Sequence, residues 1–88
     1  MLTVQFTTRF KKDLKAIKKR NLNLDALEDI VELLVNEKEL PAKNRDHELT
    51  GNWNGHRECH IQPDWLLIYK VEGNTLMLYR TGSHSDLF

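Results

Sequence analysis

A single cysteine, Cys59, is the only thiol in this chain. It excludes an internal disulfide and a Cys-based zinc site, and it fits a reducing compartment. No apolar run approaches the roughly 20 residues that span a bilayer, so no membrane helix is expected. The opening Met1-Leu2-Thr3-Val4 has no charged flank followed by an apolar core. No export signal is therefore expected, and the expected location is the cytoplasm. A glycine-rich phosphate loop, a serine nucleophile elbow and a dinucleotide fingerprint are all missing. So is net charge, with 13 basic residues against 13 acidic ones.

What remains is one small domain spanning residues 1–88, with a single core. Apolar residues make up 40% and charged residues 30%, which places the chain among globular domains rather than disordered ones. The zero net charge conceals segregation. Arg9, Lys11, Lys12, Lys15, Lys18, Lys19 and Arg20 share their segment with one acid, Asp13. From Asp25 to Glu39 the balance reverses, to six acids and one base, Lys38. Charge runs on small domains usually only solvate a face, but a basic stripe is also able to track phosphates.

Leu2, Val4 and Phe6 alternate with Thr3 and Gln5, as in a short half-buried strand. Thr7 or Thr8 is suited to cap a helix in which Phe10, Leu14 and Ile17 recur at helical spacing. Asn21-Leu22-Asn23 breaks that helix, and Asn23 is placed to cap a second one. Asp25 lies in its first turn and Leu24, Leu27, Ile30, Val31 and Leu34 form its stripe. Pro41 ends the helical region, and the polar stretch to His56 reads as loop or short edge strand. Three strands follow, at 57–61, 65–71 and 75–81, with Glu72-Gly73-Asn74 as a hairpin turn. Leu66 and Ile68 share one face, and Trp65, Leu67 and Tyr69 the other, as in a central strand. The predicted class is α+β, in the order β-α-α-β-β-β: a two-helix antiparallel hairpin packed on a twisted, mainly antiparallel sheet.

Of the four histidines, His56 reads as ordinary surface, while His47, His60 and His84 are candidates. His60 and Asp64 flank the Pro63 turn, and Arg80 and His84 lie near the end of the last strand. Consecutive antiparallel strands run back on one another, which brings these pairs together. The chemistry that fits is RNA cleavage without a metal or cofactor. RNA carries its own 2′-hydroxyl nucleophile, histidine suits both proton transfers, and arginine suits the phosphate. No histidine pair has a metal-ligand spacing, so no metal site is expected. Phe88, four residues beyond His84, is poorly placed for the core and well placed to cover such a site.

Four runs carry a resemblance. They are Asp46-His47-Glu48-Leu49, Trp53-Asn54-Gly55-His56-Arg57-Glu58, His60-Ile61-Gln62-Pro63-Asp64-Trp65-Leu66-Leu67-Ile68-Tyr69-Lys70 and Arg80-Thr81-Gly82-Ser83-His84-Ser85-Asp86-Leu87-Phe88. They resemble the YafQ branch of the RelE-superfamily toxins, over nearly the whole chain and most strongly from Asp46 onwards. The resemblance implies the same α+β fold and a type II toxin–antitoxin toxin, an endoribonuclease that cuts mRNA in the ribosomal A site. It implies catalytic roles for His47, His60, Asp64, Arg80 and His84, with Phe88 contributing to substrate binding. It also implies that Arg9 to Arg20 dock on ribosomal RNA, and that a monomeric toxin is held inactive by a cognate antitoxin. The competing reading is a ParE-like relative that acts by binding a protein such as gyrase, and a plainer one is a small RNA-binding module.

Overall fold

The computed structural model describes residues 1–88. Strand β1, Thr3–Phe6, opens the chain. Leu2 and Val4 pack towards the core, while Phe6 stays half exposed and stacks on Phe10 with centroids 5.4 Å apart. Thr7 then ends the extended run: its hydroxyl accepts from the Phe10 N–H, capping helix α1, Thr8–Lys19. α1 buries Phe10 and Ile17 and leaves its lysines outside. Asn23 caps helix α2, Leu24–Val35, by accepting from the Asp25 N–H, and α2 buries Leu27, Ile30 and Leu34. α2 stops six residues before Pro41. The Asn36 backbone and side-chain N–H groups both turn back to the Glu32 carbonyl, and Glu37 takes a positive φ of 56°. An open apolar groove of about 510 Å³ is lined by Phe10 and Leu14 of α1 and Leu24, Leu27 and Val31 of α2.

The sheet has five strands. The two-residue strand β2, His47–Glu48, is followed by β3, Arg57–Gln62, β4, Trp65–Glu72, and β5, Thr75–Gly82. Their spatial order is β1-β5-β4-β3-β2; only the β1–β5 pair is parallel. β4 is central, and its apolar residues divide as the alternation predicts. Trp65, Leu67 and Tyr69 join Cys59, Ile61, Leu76 and Leu78 beneath α1 and α2. Leu66 and Ile68 lie on the opposite face under Leu87, with Leu49, Trp53 and Tyr79 around them.

Two features go beyond the expected order. One is β2, the edge strand. The other is a one-turn helix, α3, His84–Leu87. Ser83 and Asp86 form a reciprocal capping box that starts α3, and buried Leu87 anchors it on the open face of the sheet. α3 therefore carries His84 at its first position and leaves Phe88 just beyond its end. No helix is long and apolar enough to cross a membrane.

Candidate active site

A bulge decides which way Arg80 points. Tyr69 pairs with Leu78, but Ile68 pairs with Arg80, so Tyr79 is the extra residue of β5. Without that insertion, Arg80 would fall on the helix-covered face, because strand side chains alternate. With it, Arg80 joins a row of cross-strand neighbours on the open face: His47 opposite Glu58, Glu58 opposite Ile68, and Ile68 opposite Arg80. His60 lies in the next row, opposite Leu66, which in turn pairs with Gly82. The shift also turns Thr81 inward, where its hydroxyl accepts from Trp65 Nε1 at 2.8 Å and donates to the Leu66 carbonyl at 2.7 Å.

His47, His60 and His84 are each oriented through Nδ1. His47 Nδ1 lies 2.7 Å from the Arg45 carbonyl, and His60 Nδ1 lies 3.3 Å from the Pro63 carbonyl. A carbonyl only accepts, so these contacts place a proton on Nδ1 and turn Nε2 the other way. In both cases Nε2 faces one carboxylate oxygen, Glu58 Oε1, at 3.6 Å from His47 and 3.8 Å from His60. The Glu58 side chain is only 5% exposed. A buried carboxylate is costly without partners, and the ones at hand are these two imidazoles. His84 is held from the other side: its backbone N–H donates to Asp64 Oδ1 at 3.2 Å, and its Nδ1 lies 3.3 Å from the same oxygen. The His60 and His84 rings meet at 5.8 Å, and Phe88, well exposed, stands 6.2 Å from His84.

Surrounding groups hold these side chains in place. Asp46 accepts from the Tyr69 hydroxyl and from Arg57 Nε, which ties the residue before His47 to β3 and β4. Arg45 takes a positive φ of 47°, and the resulting turn brings its carbonyl to His47. Buried Asn44 donates through Nδ2 to the His60 carbonyl at 2.7 Å.

Of the residues singled out in the sequence, His60, Asp64, His84 and Phe88 are brought together, and His47 joins them through Glu58. Arg80 shares their face but keeps its guanidinium on Asp13 of α1, with Nε donating at 2.8 Å and Nη2 at 3.1 Å. Arg9, Lys11, Lys12, Lys15, Lys18 and Lys19 are exposed. Arg20 is also exposed, but it forms a two-point pair with Asp86, at 2.7 and 3.2 Å. Glu58 is not among the sequence candidates, although a strand places it on the same face as His60, two residues away. His56 is less ordinary than expected, being packed edge-on between Trp53 and Tyr79 at 5.3 and 4.3 Å.

The donor set also fits a transition metal. Glu58, His60 and His84 present ligand atoms within 4.8 Å of one another, which was not expected from the spacing of the histidines. Two imidazoles and a carboxylate suit zinc or copper.

Comparison with known proteins agrees with the fold and the motifs. A family described as "Bacterial toxin of type II toxin-antitoxin system, YafQ" matches residues 2–88. The mRNA interferase toxin YafQ of Escherichia coli K12 is 40% identical over 86 residues, covering 97% of this chain and 94% of that protein. A metal-bound toxin from Helicobacter pylori superposes with a TM-score of 0.94 at 44% identity, covering all of both chains. The toxin in the E. coli DinJ–YafQ complex gives 0.92 at 38% identity, covering 100% of this chain and 99% of that one. A match over 87 of 88 residues, with relatives this similar along their whole length, settles the grouping: the chain belongs to the YafQ family of bacterial type II toxin–antitoxin toxins.

Proposed function

We propose that this chain is the toxin of a toxin–antitoxin pair in the cytoplasm and cleaves mRNA in the ribosomal A site. The observation that carries this reading is the convergence of His47, His60 and His84 with Glu58 and Asp64 on one sheet face. An imidazole on each side of a bound phosphodiester provides both proton transfers. One accepts the proton of the 2′-hydroxyl, whose oxygen attacks phosphorus. The other gives a proton to the 5′-oxygen as the P–O5′ bond breaks, leaving a 2′,3′-cyclic phosphate and a 5′-hydroxyl. Arg80 has five N–H donors, and two are on Asp13, so three remain for the developing charge on the phosphoryl oxygens. Phe88 offers a ring for a base beside His84. The exposed cations of α1, Arg9 to Lys19, suit the anionic surface of ribosomal RNA. The partner is a cognate antitoxin, as DinJ is for E. coli YafQ. A toxin that harms only by binding a protein such as gyrase has no use for this cluster.

The test is induction of the wild type and of His84→Ala, with message mapped by primer extension in the presence and absence of ribosomes. Codon-phased cuts on ribosome-bound message, abolished in the variant, are expected. Growth arrest that persists in the variant with intact message overturns the nuclease reading.

A second reading concerns regulation of the same site. The H. pylori neighbour is a metal-bound toxin, and Glu58, His60 and His84 form a suitable donor set here. A metal held there occupies the nitrogens that proton transfer requires and so inhibits cleavage. Calorimetric titration of Zn²⁺ or Cu²⁺ is expected to show one site in the wild type and none in Glu58→Gln. Equal binding by both places the metal elsewhere.

A further inference from the structure

One stripe of α1 does not behave as a solvated basic face. Arg9, Asp13, Ala16 and Arg20 line a cleft shared with Arg80, Thr81 and Asp86. Asp13 is the single acid of the basic segment, and it is fully engaged. Its Oδ2 accepts from Arg80 Nε and from the Thr81 backbone N–H at 3.2 Å, while Oδ1 accepts from Arg80 Nη2. Both side chains of this pair are largely buried, at 15% and 12% exposed. Seven residues on, two turns along the same face, Arg20 grips Asp86 with both terminal nitrogens.

Asp86 is itself the acid of the capping box that starts α3. Its Oδ2 accepts from the Ser83 N–H at 2.9 Å, and the Ser83 hydroxyl accepts from the Asp86 N–H at 3.2 Å. His84 is the first residue of that helix. The fit leaves no spare room: a Cβ at Gly82 would lie 2.9 Å from Asp86 Oδ2 and 3.0 Å from Asp86 Cβ. The two contacts from α1, both in this cleft, thus reach two of the candidate residues. One is made on the guanidinium of Arg80, and the other on the helix that presents His84 to Asp64 and His60.

We propose that Asp13 and Arg20 are positioning residues, through which α1 sets Arg80 and His84 in register with one another. This rests on the roles given above to Arg80 and His84. It separates Arg20 from the docking cations beside it: Arg20 acts on the reactive geometry, whereas its exposed neighbours act on ribosome affinity.

The experiment compares Asp13→Asn, Asp13→Ala, Arg20→Ala and Arg20→Lys with wild type and Lys19→Ala, each released from its antitoxin complex. The first readout is cleavage of ribosome-bound message. Asp13→Ala and Arg20→Ala are expected to lower kcat about ten- to a hundredfold with little change in KM, since small misplacements of reacting groups cost that much. Arg20→Lys recovers part of the loss, and Lys19→Ala raises KM instead. The second readout needs no activity: the nuclear Overhauser contact between the His60 and His84 rings, measured with thermal melts to confirm folding. It is expected to vanish in Arg20→Ala and to persist in Lys19→Ala. Should an Asp13→Ala chain fail to fold, Asp13→Asn keeps the shape and tests the charge alone. A rise in KM alone for Arg20→Ala makes it a docking cation and overturns the proposal, as does an unchanged ring contact. A wild type that cleaves nothing defeats the nuclease reading and leaves the ring contact to decide on positioning.

Discussion

At the scale of single residues, Glu58 is the side chain with the sharpest chemical consequence. It is buried, carries no lysine or arginine partner, and faces Nε2 of both His47 and His60. Glu58→Gln keeps the shape and removes the charge. We expect a folded protein whose cleavage rate falls about a hundredfold or more, the range of a general acid–base group, with a changed pH–rate profile. Thermal melts and rate measurements across pH check it; wild-type rates in the variant would reduce Glu58 to a packing role. Cys59, its neighbour in β3, points the other way, into the core. Burial above all, with help from Asp46 and Glu58, pushes its thiol up to about 12. The thiolate is the reactive form, so native protein at pH 8 should resist iodoacetamide and urea-unfolded protein should react readily.

At the scale of elements, α3 is held by charge at its surface and by Leu87 beneath. Arg20, together with the Ser83 N–H, holds the Asp86 carboxyl well below the usual carboxylate range. A depressed folded value stabilises the native state above the unfolded pKa and loses that effect as pH falls through the folded value. The contribution of Asp86 is therefore complete above about pH 4, and the Ser83 amide should stay protected from exchange some way below that. Loss of protection already at pH 4 would show that the capping box does not hold in solution. Added salt weakens the exposed Arg20 contact and should shift the transition upwards. These elements were unevenly legible in the sequence. The β3, β4 and β5 strands were read to within a residue of their ends, because buried alternation and the Pro63 and Gly73 turns mark them locally. Thr7 and Asn23 announced both long helices. The bulge at Tyr79 left no local trace, since a single extra residue in an apolar strand changes no pattern. The Asp13–Arg80 pair spans 67 positions and has no periodicity to reveal it. His60, Asp64 and His84 are legible through their residue types and the meander, whereas Glu58 shows itself only through its two-residue spacing from His60.

At the scale of the whole molecule, almost everything leans on β4. Leu66, Leu67 and Ile68 are completely buried, and they serve two cores on opposite faces of the sheet. Leu67→Ala should cost ~2–5 kcal/mol, a large share of the ~5–15 kcal/mol available to a domain of ordinary stability. Urea titration would show it as a lower midpoint at unchanged slope. The parallel partnership of β1 with β5 has a further consequence, one of timing. Thr3 pairs with Thr75 and Phe6 with Leu78, so the strand translated first waits for the strand translated last. While the chain is being made, Leu2 to Phe6 have no edge to join, and α1 has neither Arg80 nor Asp86 to grip. The sheet edge and both grips of α1 therefore form only once β5 and α3 have been made, so the candidate site is among the last parts of the fold to assemble.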